Sequence, residues 1–199
     1  MSLLKSAWEI ALERTENIQA DPEKIKKEAV LNDGRRLAGA FLTADTLDSQ
    51  PIEKAYGSCD STSQPIMREG IALTILLNIA LPQATDFEAR FDRLLYLAQL
   101  IEEDDPNPLQ MLGQIKQFLQ KFLAARDSLA DRMKQQYQGM FDEKQERLMQ
   151  KYGKGINSAI EQDPEYLKLV QKGYAQITAQ YQQALSDAKE QLKQMWGLS

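Results

Sequence analysis

The chain has 199 residues, of which 43% are hydrophobic and 27% are charged, a composition typical of folded globular proteins. The net charge is −5 and histidine is absent, which excludes Ser-His-Asp and Cys-His catalysis, zinc sites with histidine ligands and the Glu-x-x-His di-iron bundle. Neither of the glycine-rich phosphate-binding motifs, G-x-x-x-x-G-K-[ST] and G-x-G-x-x-G, occurs.

The first predicted helix begins near the amino terminus, where Ser2 can act as its cap and apolar residues recur at helical spacing to Ile18. Lys5 and Glu9 interrupt the apolar pattern, so we do not expect a secretory signal. The opening KSAWEIALERT, with GRRLAGAFL from Gly34, resembles uncharacterised bacterial all-helical proteins that begin with a similar K-S-A-x-E-I-A-L-E-R phrase. The resemblance covers about a fifth of the chain and implies no activity.

The second predicted helix begins at Asp21-Pro22, where aspartate is the cap and proline the first helical residue, and runs to about Phe41. Residues 43–64 are rich in Thr, Asp, Ser, Gly and Pro. This composition predicts a long connection, with one short helix after Pro51.

The only cysteine, Cys59, lies in this connection. One thiol cannot form a disulfide within the chain, so we expect a cytoplasmic protein. No histidine is present to activate the thiol, so we do not expect it to be catalytic.

The stretch GIALTILLNIALP, from Gly70 to Pro82, is the only strongly apolar run. It is much shorter than the roughly 20 residues that cross a bilayer, so it predicts a buried helix over residues 65–81 instead of a membrane span. Gly70, Thr74 and Asn78 share one stripe of this helix. We expect close packing at Gly70 and local bonding of the polar groups; alternatively, the stripe lines a small-molecule pocket with Asn78 as its polar anchor.

The next helix starts with a capping box, T-x-x-E, formed by Thr85 and Glu88. Four consecutive carboxylates follow its end, and they are candidate metal ligands: Glu102, Glu103, Asp104 and Asp105. Their oxygens suit Mg²⁺ or Ca²⁺. Such runs are more often solvated, so the sequence predicts no metal site or cofactor beyond this candidate.

The sequence DPNP at residues 105–108 predicts a hinge, with Asn107 as cap and Pro108 as the first helical residue. Up to Asn107 there are 11 basic and 19 acidic residues, and after it 13 and 10. We therefore expect two domains: an acidic helical bundle of about four helices over residues 1–107, and a long antiparallel helical hairpin over residues 108–199.

Apolar residues of the second half recur at heptad-like spacing, which is typical of a coiled coil. On the first arm they are Leu112, Ile115, Leu119, Phe122, Leu129 and Met133, continued by Tyr137, Phe141, Leu148 and Tyr152. Gly153 and Gly155 predict the turn, near residues 153–155. Asp163-Pro164 marks the start of the last helix, which runs to about Trp196. The predicted fold class is all-α.

The apolar stripe of the last helix is wider than a two-stranded contact needs. We therefore expect a homodimer or higher oligomer formed through the hairpin. The residues expected at this oligomer interface are Leu167, Val170, Tyr174, Ile177, Tyr181, Leu185, Leu192 and Trp196.

The sequence offers no catalytic residues, and we expect a non-enzymatic interaction or scaffold protein that binds itself and an unknown protein. The negative net charge disfavours nucleic acid as a partner. Two alternatives stay open. An all-α nucleotide pyrophosphohydrolase would hold Mg²⁺ on Glu13 and Glu16 with Asp45 and Asp48. A prefoldin-like holdase would bind unfolded clients at the hairpin tip, near residues 152–156.

Overall fold

The computed structural model describes residues 21–46, 48–83, 87–102, 105–153 and 159–198. These ranges contain six α-helices, one short 3₁₀ turn and no strand, which confirms the all-α class. The helices are α1 (Pro22–Thr43), α2 (Gln50–Gly57), α3 (Gln64–Asn78), α4 (Phe87–Leu100), α5 (Asn107–Tyr152) and α6 (Pro164–Met195), and the 3₁₀ turn is Ile160–Gln162. The helix predicted from Ser2, the KSAWEIALERT phrase and the Thr85 cap lie outside the described residues.

Two helices begin at the predicted Asp-Pro pairs. The side chain of Asp21 accepts the backbone N–H of Glu23 at 3.0 Å, and that of Asp163 accepts the N–H of Glu165 at 2.9 Å. Each carboxylate thereby satisfies one of the amide donors that the first helical turn leaves without a partner. The predicted starts of α1 and α6 are confirmed.

Helix α5 is continuous for 46 residues, or about 69 Å at 1.5 Å per residue. Gly153 ends it in the left-handed conformation, with φ of 66°. Asn107 is itself helical and does not act as the predicted cap. Instead, the carboxylate of Asp105 accepts the Asn107 backbone N–H at 3.0 Å.

The described residues divide into two compact units, one up to Thr74 and one from Ile75 onward. The predicted domain boundary at Asn107–Pro108 therefore lies within the second unit. There α4 and α5 contact each other, and Lys116 Nζ of α5 lies 3.0 Å from Glu88 Oε2 of α4.

In the first unit, α1 and α3 approach so closely that their backbones touch. A Cβ atom on Gly70 would overlap the carbonyl oxygen of Leu31, and one on Gly34 would lie 2.6 Å from that of Met67. A backbone oxygen cannot move aside as a side chain can, so both positions require glycine. Thr74 Oγ1 donates to the carbonyl of Gly70 at 2.9 Å. The expected close packing at Gly70 and local bonding of Thr74 are confirmed.

In the second unit, α5 and α6 run antiparallel. The rings of Tyr137 and Tyr166 lie 5.7 Å apart, while Tyr181 lies 4.8 Å from Phe118 and 5.1 Å from Phe122. Residues near the start of α5 thus contact residues late in α6, and residues later in α5 contact residues near the start of α6.

The buried stripe of α6 departs from the heptad line that the sequence suggests. The buried residues are Tyr166, Gly173, Leu185, Leu192 and Trp196. The heptad spacing instead runs from Leu167, the residue after buried Tyr166, to Met195, the residue before buried Trp196. Leu167 and Met195 are both exposed. A straight helix turns every 3.6 residues, so a line of period 3.5 drifts around it by about 20° per heptad.

A hydrogen-bonded network fixes the start of α6 against α5. Lys144 Nζ donates to Asp163 Oδ2 at 2.8 Å and to Glu165 Oε2 at 3.3 Å, and Tyr137 Oη donates to Glu165 Oε2 at 3.1 Å. The Lys144 hydrogen bond lowers the pKa of the buried Asp163 carboxyl. Burial, with the hydrogen bond to Glu165, raises the pKa of Tyr137 to about 12, so the phenol stays a donor.

We expect Gly70→Ala to lower the free energy of unfolding by about 1–3 kcal/mol or more, because the new methyl group overlaps a backbone oxygen. Gly39→Ala is the matched control. A Cβ at Gly39 of α1 meets nothing within 4 Å, so this change should raise stability by up to about 1 kcal/mol. Urea unfolding followed by circular dichroism measures both, and a Gly70→Ala protein as stable as wild type contradicts the close approach.

We expect Asp163→Asn to lower the melting temperature at pH 7 by roughly 2–4 °C, because the charge that pairs with Lys144 is lost. The folded-state pKa of Asp163 is lowered, so its stabilisation is present above the unfolded value of about 3.9 and is lost as the pH falls through the folded value. The melting-temperature difference between wild type and variant should therefore shrink below about pH 4. Asp187→Asn, at an exposed position of α6, is the control; a difference that stays constant with pH argues against the pairing.

Candidate interaction surface

Of the eight residues predicted at the oligomer interface, seven lie on α6 and Trp196 is the cap that follows it, but they differ in exposure. Leu185, Leu192 and Trp196 are 1%, 0% and 6% exposed, so they belong to the core of the single chain and add nothing to its surface. Leu167 is 51% exposed. The remaining four are half-buried: Val170, Tyr174, Ile177 and Tyr181.

Half-buried apolar residues gather in the middle of the α5–α6 pair. We define the middle surface as Leu123, Leu129 and Met133 of α5 with Val170, Tyr174 and Ile177 of α6. No residue of α5 between Phe122 and Tyr137 is fully buried, and none of α6 between Gly173 and Leu185. Two helices bury only the stripe along which they touch, so the flanks of that stripe stay partly open.

The two ends of the pair differ from the middle because a third element packs against each of them. At one end, Glu88 of α4 accepts a hydrogen bond from Gln120 of α5 and pairs with Lys116 of α5. At the other end, Ile160 of the 3₁₀ turn packs in a buried cluster with Tyr137 and Phe141. The middle surface is therefore the part of the pair with the least complete core.

Gly173 of α6 leaves room for the Met133 and Leu129 side chains of α5 at the middle surface, and sequence reasoning missed it. A Cβ at Gly173 would overlap Met133 Cε and lie 3.2 Å from Leu129 Cδ2. The available signal was a glycine inside a long predicted helix, which costs about 1 kcal/mol and therefore suggests a packing reason.

Further apolar side chains are exposed toward the end of α5. Met140 and Met149 are each 61% exposed, and Tyr152 is 64% exposed. Of the hairpin tip that the holdase alternative invokes, residues 154–156 lie outside the described ranges.

The carboxylates proposed for catalysis or metal binding do not form a site in the described parts of the chain. Asp45 and Asp48 are exposed and lie outside helices, while Glu13 and Glu16 fall outside the described ranges. The remaining candidates divide likewise: Glu102 and Asp105 are exposed, and Glu103 and Asp104 fall outside. Among described residues no group of three or more Cys, Asp or Glu side chains is placed to hold a metal ion.

The thiol of Cys59 is held by neighbouring groups. Its Sγ donates to the carbonyl of Ala55 at 3.3 Å and lies 3.6 Å from Met67 Sδ. Burial and the nearby charge of Asp60 raise the pKa of the thiol. A raised pKa lowers the thiolate fraction at neutral pH, which disfavours a nucleophilic role.

A cavity of about 250 Å³ lies where α3 ends and α4 begins. Asn78 lines it, as the pocket alternative suggested, but Gly70 and Thr74 do not. The other lining residues are Ala80, Leu81, Pro82, Gln83, Phe87, Arg90, Phe91 and Leu94. Only the last polar residue of the stripe therefore reaches a cavity, because the other two lie one and two turns back along α3.

Within the described ranges, no helix combines the length and the apolarity that crossing a membrane requires.

Comparisons with known proteins identify a family but no characterised relative. No curated protein and no solved structure matches this sequence. The family of unknown function DUF6657 matches residues 53–194, which run from within α2 to nearly the end of α6. Because this match covers more than half of the chain, the protein belongs to the DUF6657 family.

Proposed function

We propose that this protein is a non-enzymatic helical interaction protein, a scaffold that self-associates through the middle surface of α5 and α6. The observation that carries the proposal is the set of large apolar side chains left half-buried there. Two of them, Met133 and Val170, pack on one side against the buried cluster around Tyr137 and keep their other side partly exposed.

The energetic argument rests on apolar area. Burying a large apolar side chain fully contributes about 1.5–3 kcal/mol relative to leaving it exposed, and a half-buried one forgoes part of that. The middle surface holds six such residues, arranged along both helices. Packing two α5–α6 pairs against each other would complete their burial in a four-helix arrangement, a common way of closing such a core.

The charges beside this surface favour a second copy of the chain over a strongly charged partner. On α5, Arg126 and Arg132 lie on either side of Asp127 and Asp131 along the chain. In a two-fold contact the same surface meets itself, so a surface with both signs can place each charge opposite its complement. A partner of one sign would meet repulsion as well as attraction.

A holdase is the second candidate, and the exposure of Met140, Met149 and Tyr152 favours it. Methionine adapts its shape to irregular apolar surfaces and is over-represented where one site binds many partners. These three residues lie outside the middle surface, so a dimer could still present them to another protein.

We expect light scattering on the eluted protein to give about twice the 22.6 kDa chain mass, and Ile177→Asp to give one chain mass, because an unpaired carboxylate cannot be buried in an apolar contact. Ala175→Asp is the matched control. Ala175 is exposed and lies roughly 200° around α6 from Ile177, so the same charge should leave the mass unchanged. A wild-type monomer at high micromolar concentration, or dissociation by Ala175→Asp as well, argues against pairing through this surface.

For the holdase, we expect the wild-type protein to reduce light scattering from a chemically denatured client enzyme on dilution, and Met140→Gln with Met149→Gln to lose most of that effect. The matched control is Gln135→Ala with Gln150→Ala, two exposed positions of α5, which should act as wild type does. If both double variants suppress the light scattering equally, the exposed methionines are not the client-binding groups and the holdase proposal is contradicted.

A further inference from the structure

The cavity between α3 and α4 has a preformed apolar wall. Phe87, Phe91 and Leu94 of α4 line one side of it and are 8%, 2% and 4% exposed, so their positions are set by packing. The rings of Phe87 and Phe91 stand 5.5 Å apart and inclined by 53°. Leu81 and Pro82 line it from the segment that follows α3.

Among the described residues that line the cavity, Arg90 is the only one with a charged side chain. Arg90 lines the cavity and belongs to the first turn of α4, where the helix dipole disfavours a cation and favours a bound anion. The only acidic residues of α4 are Glu88 and Asp92, and both pair with Lys116 of α5. Within the described ranges, Arg90 itself has no ion pair with a carboxylate.

The position of Arg90 in the first turn adds its full charge to the positive end of the α4 dipole. Such an arginine is a favourable partner for a carboxylate or another small anion.

We propose that this cavity binds a small amphipathic carboxylate, with its hydrocarbon against Phe87, Phe91 and Leu94 and its anionic group at Arg90. The volume of about 250 Å³ is slightly below the roughly 300–1,000 Å³ of sites for drug-sized ligands, so it suits a short or medium chain and excludes a whole phospholipid. None of the residues of the middle surface lines it, so this binding is independent of self-association.

Isothermal titration with octanoate, and with 1-octanol as its neutral counterpart, tests the proposal on the full chain. We expect saturable binding of one octanoate per chain, and 1-octanol binding about tenfold more weakly because it lacks the charge. Arg90→Gln should weaken octanoate about tenfold and leave 1-octanol unchanged. The matched control is Arg132→Gln, an exposed arginine of α5 that should bind octanoate as wild type does.

Ala80→Phe tests the location. Ala80 is exposed and lines the cavity, so a larger side chain there should fill the space without entering the core, and octanoate binding should fall below detection. Thermal melts establish that each variant is folded. No wild-type binding at millimolar octanoate, equal affinity for octanoate and 1-octanol, or unchanged binding by a folded Ala80→Phe protein would each overturn the proposal.

Discussion

The antiparallel contact of α5 with α6 is the constraint on which most of the second unit depends. A helix of 46 residues with a polar majority has too little apolar surface to be stable alone, and it must bury its stripe against a partner. Helix α6 supplies that partner over 32 residues, and third elements complete the core at the two ends. What is left, between Phe122 and Tyr137, is a contact of two helices, and it is there that apolar groups stay half-buried. The candidate interaction surface thus arises because α5 is longer than the segments that α4 and the 3₁₀ turn cover at its two ends.

Local signals in the sequence predict the helix ends well, but they predict the packing between distant helices poorly. Asp21 and Asp163 cap their helices as expected. The aspartate carboxylate accepts a first-turn backbone N–H, and the proline that follows has no N–H that would need a partner. The predicted cap of α5, Asn107, is itself the first helical residue, and the position before it is Pro106. Asp105 accepts the Asn107 N–H instead, and since aspartate and asparagine are both able to accept, only the backbone path decides between them.

The stripe of α6 shows why the candidate interface was only partly predictable. Leu185 and Trp196 were predicted at the oligomer interface, yet both are buried in the single chain. A seven-residue repeat fits a supercoiled pair, whereas the buried residues of α6 follow a period nearer that of a straight helix. The sequence is compatible with both the heptad repeat and the straight-helix period, since Tyr166 and Leu167 are adjacent and both apolar. Which one is buried depends on where α5 lies, and a single helix carries no information on that.

The polar groups of the second unit have a structural role at the start of α6. Its most connected network joins Tyr137, Lys144, Asp163 and Glu165, and each of these groups already has a partner within it. Burial and hydrogen bonding move the pKa of Tyr137 to about 12 and that of Asp163 below its usual value, so neither changes protonation near neutral pH. A general acid or base needs a pKa near the working pH and a free side toward substrate. Here the pKa shifts keep Tyr137 neutral and Asp163 charged at neutral pH. Their hydrogen bonds hold the start of α6 against α5, and this position determines which surface the two helices present together. The polar interactions of this network therefore position α6 against α5.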